Sequence, residues 1–221
     1  MVALLTVILS FLGAAVIGFI PSKNIRLIRS LALFIALGTF AAAMECYFQY
    51  LDRSGEIFQQ MVDLTWIPAI GATFKIGVDG LSISLIVLTG IIAVCGVLFS
   101  WTLEDRANQF FAYYFALIGG VFGVFLSLDL FLLFVFYEIA IVPKYFIIAI
   151  WGSGEKAYAA MKLVLFSFVG SAVALLGIIA LYFGSGLETF DLIRLMAEGE
   201  FSSQFQLVVF PLLFIGFGIL A

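Results

Sequence analysis

Residues 131–151, FLLFVFYEIAIVPKYFIIAIW, form an apolar run with one carboxylate, Glu138, near its middle. The run is close to the ~20 residues that an α-helix needs to cross a bilayer. An ionised side chain at that depth costs at least about 2.5–3.5 kcal/mol on insertion scales, so such residues usually serve a proton or ion path. The alternative interpretation is a hydrogen-bonded carboxyl group that only ties helices together. Glu138 is therefore the first candidate for a functional residue.

The rest of the chain has the composition of a polytopic membrane protein. Of its 221 residues, 65% are hydrophobic and 11% are charged, whereas soluble domains contain about 25% charged residues. Because lipid cannot hydrogen-bond the backbone, the spans should all be helices. The sequence thus predicts one all-α transmembrane domain over residues 1–221, a helix bundle of about six full spans and part of a seventh. The predicted spans are 2–20, 27–50, 80–101, 108–127, 130–151, 157–183 and 205–221.

Basic residues predict the orientation of the bundle. Alternate loops hold five of the ten, namely Lys23, Arg26, Arg29, Arg106 and Lys156. The positive-inside rule places these loops on the cytoplasmic side and the N-terminus outside. The sequence pI of about 4.7 gives no support for nucleic-acid binding.

Two outside loops are predicted to carry structure of their own. The loop at 52–78 contains Trp66-Ile67-Pro68 and short β-like stretches, which predict a surface turn or a small hairpin. Within the loop at 187–203, the stretch LETFDLIRLMAEGE at 187–200 spaces Phe190, Ile193 and Met196 at helical intervals. This spacing predicts a short amphipathic helix on the membrane surface.

Three residues near Glu138 complete the candidate site. Pro143 lies five residues later and frees the carbonyl of Ile139, and bent spans beside charges near the bilayer centre are a recurrent way to build ion sites. Lys144 does not share a helix face with Glu138, so it either snorkels to the interface or adds a basic partner. Lys162, in the following span, either snorkels or faces the bundle and pairs with a carboxylate.

No metal or cofactor site is predicted in this chain. It has no histidine, and Cys46 and Cys95 lie in apolar segments without metal-binding spacing. Nucleotide, flavin and iron–sulfur ligand patterns are likewise missing. Apolar surroundings disfavour the charged form of a carboxyl group, so a lysine that approaches and withdraws could load and release a proton at Glu138. The absence of clustered oxygen ligands favours H⁺ over Na⁺.

Three stretches resemble one known family. They are 66–89, WIPAIGATFKIGVDGLSISLIVLT; 134–151, FVFYEIAIVPKYFIIAIW, followed by Gly152; and 158–183, YAAMKLVLFSFVGSAVALLGIIALYF. These stretches are similar to the third, fifth and sixth spans of the antiporter-like subunits of respiratory complex I. The resemblance is closest to the M-type subunit, called subunit 4 in mitochondria.

The resemblance implies roles for particular residues. In that family the fifth-span glutamate, here Glu138, is an essential proton-pathway residue, and its partner is a lysine in a broken seventh span. Members have about fourteen spans in two inverted repeats, so this sequence matches the first half of the antiporter-like fold only. It ends at Ala221, before the position of the family's partner lysine, and Lys144 stands where the family more often has an apolar residue.

The resemblance also implies a function. We expect a proton-translocating membrane subunit of a complex I-like quinone oxidoreductase in a bacterial plasma membrane, with no redox chemistry in this chain. NAD(H) or another donor, FMN, iron–sulfur clusters and quinone are expected in partner subunits. Its partners would be other membrane subunits and the lipid bilayer, with no nucleic acid. Alternatives are a subunit of a multisubunit cation/proton antiporter, a subunit of a membrane-bound hydrogenase, and a structural membrane adaptor.

Overall fold

The computed structural model describes residues 2–52 and 57–220, and these ranges form a bundle of helices with one small hairpin. The all-α fold class predicted from the sequence is confirmed. In chain order the elements are α1 (Val2–Phe19), α2 (Ile25–Asp52), β1 (Gln59–Ile67), β2 (Ala72–Val78), α3 (Gly80–Phe99), α4 (Ala107–Leu126), α5 (Leu130–Trp151), α6 (Lys156–Gly184), α7 (Leu192–Glu198) and α8 (Ser203–Leu220).

Helices α1 to α6 are each long and apolar enough to cross a membrane, and α8 contains a shorter apolar helix. Each of these helices begins and ends within two residues of a predicted span. Helix α3 ends at Phe99 rather than at 101 because the chain turns at residues 100–102. Residues 53–56 of the predicted loop at 52–78, and residue 221 of the last predicted span, lie outside the described residues.

Helix α4 lies at the centre of the bundle. It packs against α1 on one side and α5 on the other, while α5 also contacts α6 and α6 contacts α8. Three of its side chains, Phe111, Phe115 and Phe122, are completely buried. Phe111 and Phe115 pack with residues of α1, α2 and α3, whereas Phe122 shares a cluster with Leu132 and Phe136 of α5.

Two glycines bring α5 close to α4. A Cβ atom at Gly120 would lie 3.0 Å from the Cβ atom of Ala140, and one at Gly123 would overlap the ring of Phe136. Small residues at such positions allow transmembrane helices to approach closely. Glu138 lies two residues from both Phe136 and Ala140, and therefore on the opposite face of α5.

The two long loops predicted to lie outside are built differently from each other. Strands β1 and β2 pair antiparallel around a short 3₁₀ turn at Pro68–Ile70, as expected for a hairpin. The second loop contains α7, which is shorter than the predicted amphipathic stretch because it begins only at Leu192. Within α7 the side chain of Leu195 is buried, whereas that of Met196 is 72% exposed. Phe190 is also buried, but it lies two residues before the helix begins.

Candidate functional site

Asp129 fixes the start of α5. Its Oδ1 atom accepts hydrogen bonds from the backbone N–H groups of Phe131 at 2.9 Å and Leu132 at 3.0 Å. Its Oδ2 atom accepts from the backbone N–H and the hydroxyl of Thr73 on β2, at 2.9 and 3.1 Å. Only 1% of Asp129 is exposed, so one buried carboxylate caps the helix and joins it to the hairpin.

A second carboxylate joins the hairpin to the loop before α7. The ammonium group of Lys75 lies 2.5 Å from Oδ2 of Asp191 and 3.7 Å from Oδ2 of Asp63. The side chains of Lys75 and Asp191 are only 12% and 8% exposed, whereas that of Asp63 is 55% exposed. The close and shielded pair is therefore Lys75 with Asp191.

Backbone hydrogen bonds run through the same region. The N–H of Leu128 donates to the carbonyl of Lys75, that of Leu192 donates to Leu128, and that of Leu130 donates to Phe190, each at 2.9 Å. We call this network of β2, residues 127–130 and residues 189–192 the clasp. It ties the start of α5 to the hairpin and to the loop before α7.

Glu138 lines a cavity of about 380 Å³ between α5 and α6. The other lining residues are Ile141, Val142, Tyr145, Phe146, Met161, Val164 and Phe168. Its volume exceeds the ~30 Å³ that one water molecule occupies in the liquid, and the cavity opens to the surface of the described chain, since Val142, Met161 and Phe168 are 56%, 51% and 69% exposed. Its walls are apolar except for Glu138 and the Tyr145 hydroxyl.

The carboxyl group of Glu138 has no protein partner in the part of the chain that the structure describes. Its Oε1 atom is buried and accepts no hydrogen bond from any residue in 2–52 or 57–220. Burying such an acceptor without a partner costs free energy. The arrangement suits a group that exchanges a proton through water better than one that ties two helices together.

Pro143 lies inside α5, and the helix continues through it from Leu130 to Trp151. The proline cannot donate a hydrogen bond to the carbonyl of Ile139, a residue that is 37% exposed. This carbonyl is an additional acceptor on the turn that follows Glu138.

The two lysines of the predicted site are not in contact with Glu138. The ammonium group of Lys162 lies 5.9 Å from the centre of the Phe166 ring, on an exposed part of α6. Lys144 is half-buried, and neither lysine forms an ion pair with a described residue. A role for either lysine stays a prediction.

The clasp residues Lys75, Asp129 and Asp191 were not predicted as part of a site. An Asp directly before an apolar run is a helix-start signal, so the capping role of Asp129 was detectable. The pairing of Lys75 with Asp191 joins residues 116 positions apart, and no local pattern indicates such a contact.

Comparison with known proteins shows what the chain resembles. Residues 127–221 match the family described as NADH:quinone oxidoreductase/Mrp antiporter, transmembrane. The chain is 33% identical over 213 residues to NAD(P)H-quinone oxidoreductase chain 4 1 of Synechococcus elongatus. It is 35% identical over 218 residues to chain 4 of the same enzyme from Prochlorococcus marinus. These alignments cover 96% and 97% of this chain but 40% of each relative, so the chain spans about two fifths of their length.

Solved structures share the fold. Respiratory complex I from Thermus thermophilus contains a chain that matches with a TM-score of 0.81 and 24% identity, covering 100% of this chain and 43% of that one. The Mrp complex from Dietzia contains a chain that matches with a TM-score of 0.74 and 17% identity, covering 99% of this chain and 24% of that one. The predicted antiporter-like fold is confirmed.

Proposed function

We propose that this chain, which belongs through residues 127–221 to the NADH:quinone oxidoreductase/Mrp antiporter family, is a proton-translocating membrane subunit of a complex I-like quinone oxidoreductase. It is an integral, multi-pass membrane protein. The sequence relatives at 33–35% identity are subunits of NAD(P)H-quinone oxidoreductases. They favour the oxidoreductase over the other complexes that use this fold.

The observation that carries the proposal is the unpartnered carboxyl group of Glu138. A carboxyl group that only tied helices together would hydrogen-bond a side chain or backbone group of the neighbouring helix. Instead, its Oε1 atom is buried without such a bond, beside a cavity that can hold water. A proton carrier needs this access, since it must give up and regain its proton.

In the proposed cycle Glu138 holds and releases the transported proton. A cation that comes within about 4–6 Å of a carboxyl group favours its charged form, and withdrawal of the cation favours the protonated form. Lys162 is the candidate basic partner on α6, and Lys144 is a weaker one on α5. For Lys162 to act, its ammonium group must leave Phe166 and reach the cavity. Pro143 supports the path by leaving the Ile139 carbonyl free to bind water.

Redox chemistry belongs to other subunits in this proposal. The electron donor, NAD(H) or another, would react there together with FMN, iron–sulfur clusters and quinone. Conformational or electrostatic changes in those subunits would move the charges around Glu138. The translocase activity is thus an activity of the whole complex, to which this chain contributes a proton path.

We further propose that residues 1–221 form one transmembrane domain of a bacterial plasma membrane. Two contacts from helix ends to the loop between α3 and α4 support a common inner end: Arg29 of α2 donates to the carbonyl of Leu103 at 3.3 Å, and the Trp151 indole of α5 donates to that of Asp105 at 2.9 Å. Most basic loop residues lie at this end, and the positive-inside rule therefore favours a cytoplasmic position for it. The hairpin, the clasp and the N-terminus would then face outside.

The second candidate is a subunit of a cation/proton antiporter, because the matching family description includes Mrp antiporters. Purification of the native complex in mild detergent, followed by mass spectrometry of its subunits, separates the two. Iron–sulfur and quinone-site subunits alongside this chain would support the oxidoreductase. Small membrane subunits alone would overturn it in favour of the antiporter, and sodium-dependent transport that resists a protonophore would contradict H⁺ as the ion.

A further inference from the structure

A second cavity lies at the basic end of the bundle, away from Glu138. It measures about 590 Å³ and is formed where α2 begins. Three of its lining residues are cationic, Lys23, Arg26 and Arg29, and one is anionic, Glu104. The positive-inside rule accounts for basic residues in this loop, but it does not require that three of them line one concave surface.

The guanidinium group of Arg29, which lines this cavity, does not use all of its hydrogen-bond donors. Its side chain is 17% exposed, and its Nε atom is buried with no hydrogen-bond partner in the described part of the chain. One Nη atom donates to the carbonyl of Leu103 at 3.3 Å and lies 3.6 Å from Oε1 of Glu104. Both contacts are long for a guanidinium group, whose charge-assisted bonds are usually about 2.7–2.9 Å.

Among the described residues that line the cavity, the one carboxylate, Glu104, does not block it. The side chain of Glu104 is 73% exposed, so it can turn into water when a stronger anion arrives. Lys23 and Arg26 are exposed and are therefore free to donate to that anion. The first N–H groups of α2 point toward the same end and add a weaker attraction for negative charge.

Apolar side chains continue outward from the cavity. Leu27 and Phe34 are seven residues apart on the same face of α2, and they are 49% and 74% exposed. Phe19, at the end of α1, is 90% exposed. A cationic pocket at the membrane surface with an apolar strip beside it fits a ligand that has an anionic head and a hydrocarbon tail.

We propose that this cavity binds the headgroup phosphate of an anionic phospholipid, with an acyl chain along Leu27 and Phe34. Basic pockets between helices on the cytoplasmic side of a membrane are suited to such headgroups. The proposal stands apart from the proton path, because it rests on another cavity and other residues.

The test uses the whole purified complex and a phosphatidylglycerol probe that carries a photoreactive group in its acyl chain. Crosslinked peptides are mapped by mass spectrometry, with the equivalent phosphatidylcholine probe as a reference. In the wild type we expect phosphatidylglycerol to label residues 19–34 preferentially. In the K23Q/R26Q variant this labelling should fall about 30-fold, the contribution of two basic residues to attracting an anionic lipid.

The matched control is R106Q, which removes a basic residue at the same end but outside the cavity. It should retain wild-type labelling. Equal labelling by the two lipids, or unchanged labelling in K23Q/R26Q, would overturn the proposal. Complete competition by millimolar inorganic phosphate would also overturn it, because the site would then belong to a free anion.

Discussion

The ammonium group of Lys75 lies 2.5 Å from the Asp191 carboxylate, across 116 residues of sequence. This pair joins the hairpin to the loop before α7, and Asp129 joins the hairpin to α5. Glu138 lies nine residues beyond Asp129, about 13 Å along the helix axis. The clasp therefore anchors the end of α5 that lies this distance from the proposed proton carrier.

Removing Lys75 should destabilise the protein strongly. The variant K75M leaves Asp191 buried without its cation, and loss of one partner of a buried pair costs about 3 kcal/mol. Thermal unfolding of the purified complex in detergent measures the loss. The matched control is D63N, which breaks the longer and more exposed contact and should cost less than about 1 kcal/mol. Equal losses of stability in the two variants would show that the pair of Lys75 with Asp191 contributes no more than the contact with Asp63.

Removing the carboxylate of Asp129 should loosen the start of α5. The variant D129A deletes a helix cap, worth about 1–2 kcal/mol, and also leaves Thr73 without its acceptor. Hydrogen exchange should speed up at the amides of Phe131, Leu132 and Thr73 together. In the control D79A, which removes the cap of α3, faster exchange should stay confined to the start of that helix. Unchanged exchange at Thr73 in D129A would contradict a cap that also joins two elements.

Adding one methyl group at Gly123 should disturb the contact between α4 and α5. In G123A the new Cβ overlaps the ring of Phe136, which is 7% exposed and cannot move freely. Overpacking of this kind costs about 1–3 kcal/mol, measurable as a lower unfolding temperature. The variant G38A places its methyl group in open space inside α2 and should leave that temperature unchanged or raise it, since alanine favours a helix over glycine. If G123A were as stable as G38A, the contact between α4 and α5 at Gly123 would have room for a methyl group, which would contradict the close packing.

The sequence predicted the spans well because each crossing requires about 20 apolar residues in a row, and this requirement is local. It also makes Glu138 a candidate, since a carboxylate within such a run is costly, but the role of Glu138 stays a prediction. The environment of Lys162 could not be predicted in this way. Gly170 and Gly177 of α6 face α8. This packing fixes the rotation of α6 about its axis, and therefore the direction in which Lys162 points. An apolar helix without a clear polar face carries no sequence signal for its own rotation.

The proton path is tested most directly by the ratio of protons moved to electrons transferred. The complex carrying E138Q is reconstituted in liposomes, and electron transfer to quinone is measured alongside acidification. The matched control is E45Q, which neutralises an exposed glutamate of α2 that bonds only Gln49. We predict that E138Q assembles and still transfers electrons but loses most proton translocation, while E45Q keeps the wild-type ratio. A wild-type ratio in E138Q would contradict the assignment of Glu138 as the proton carrier.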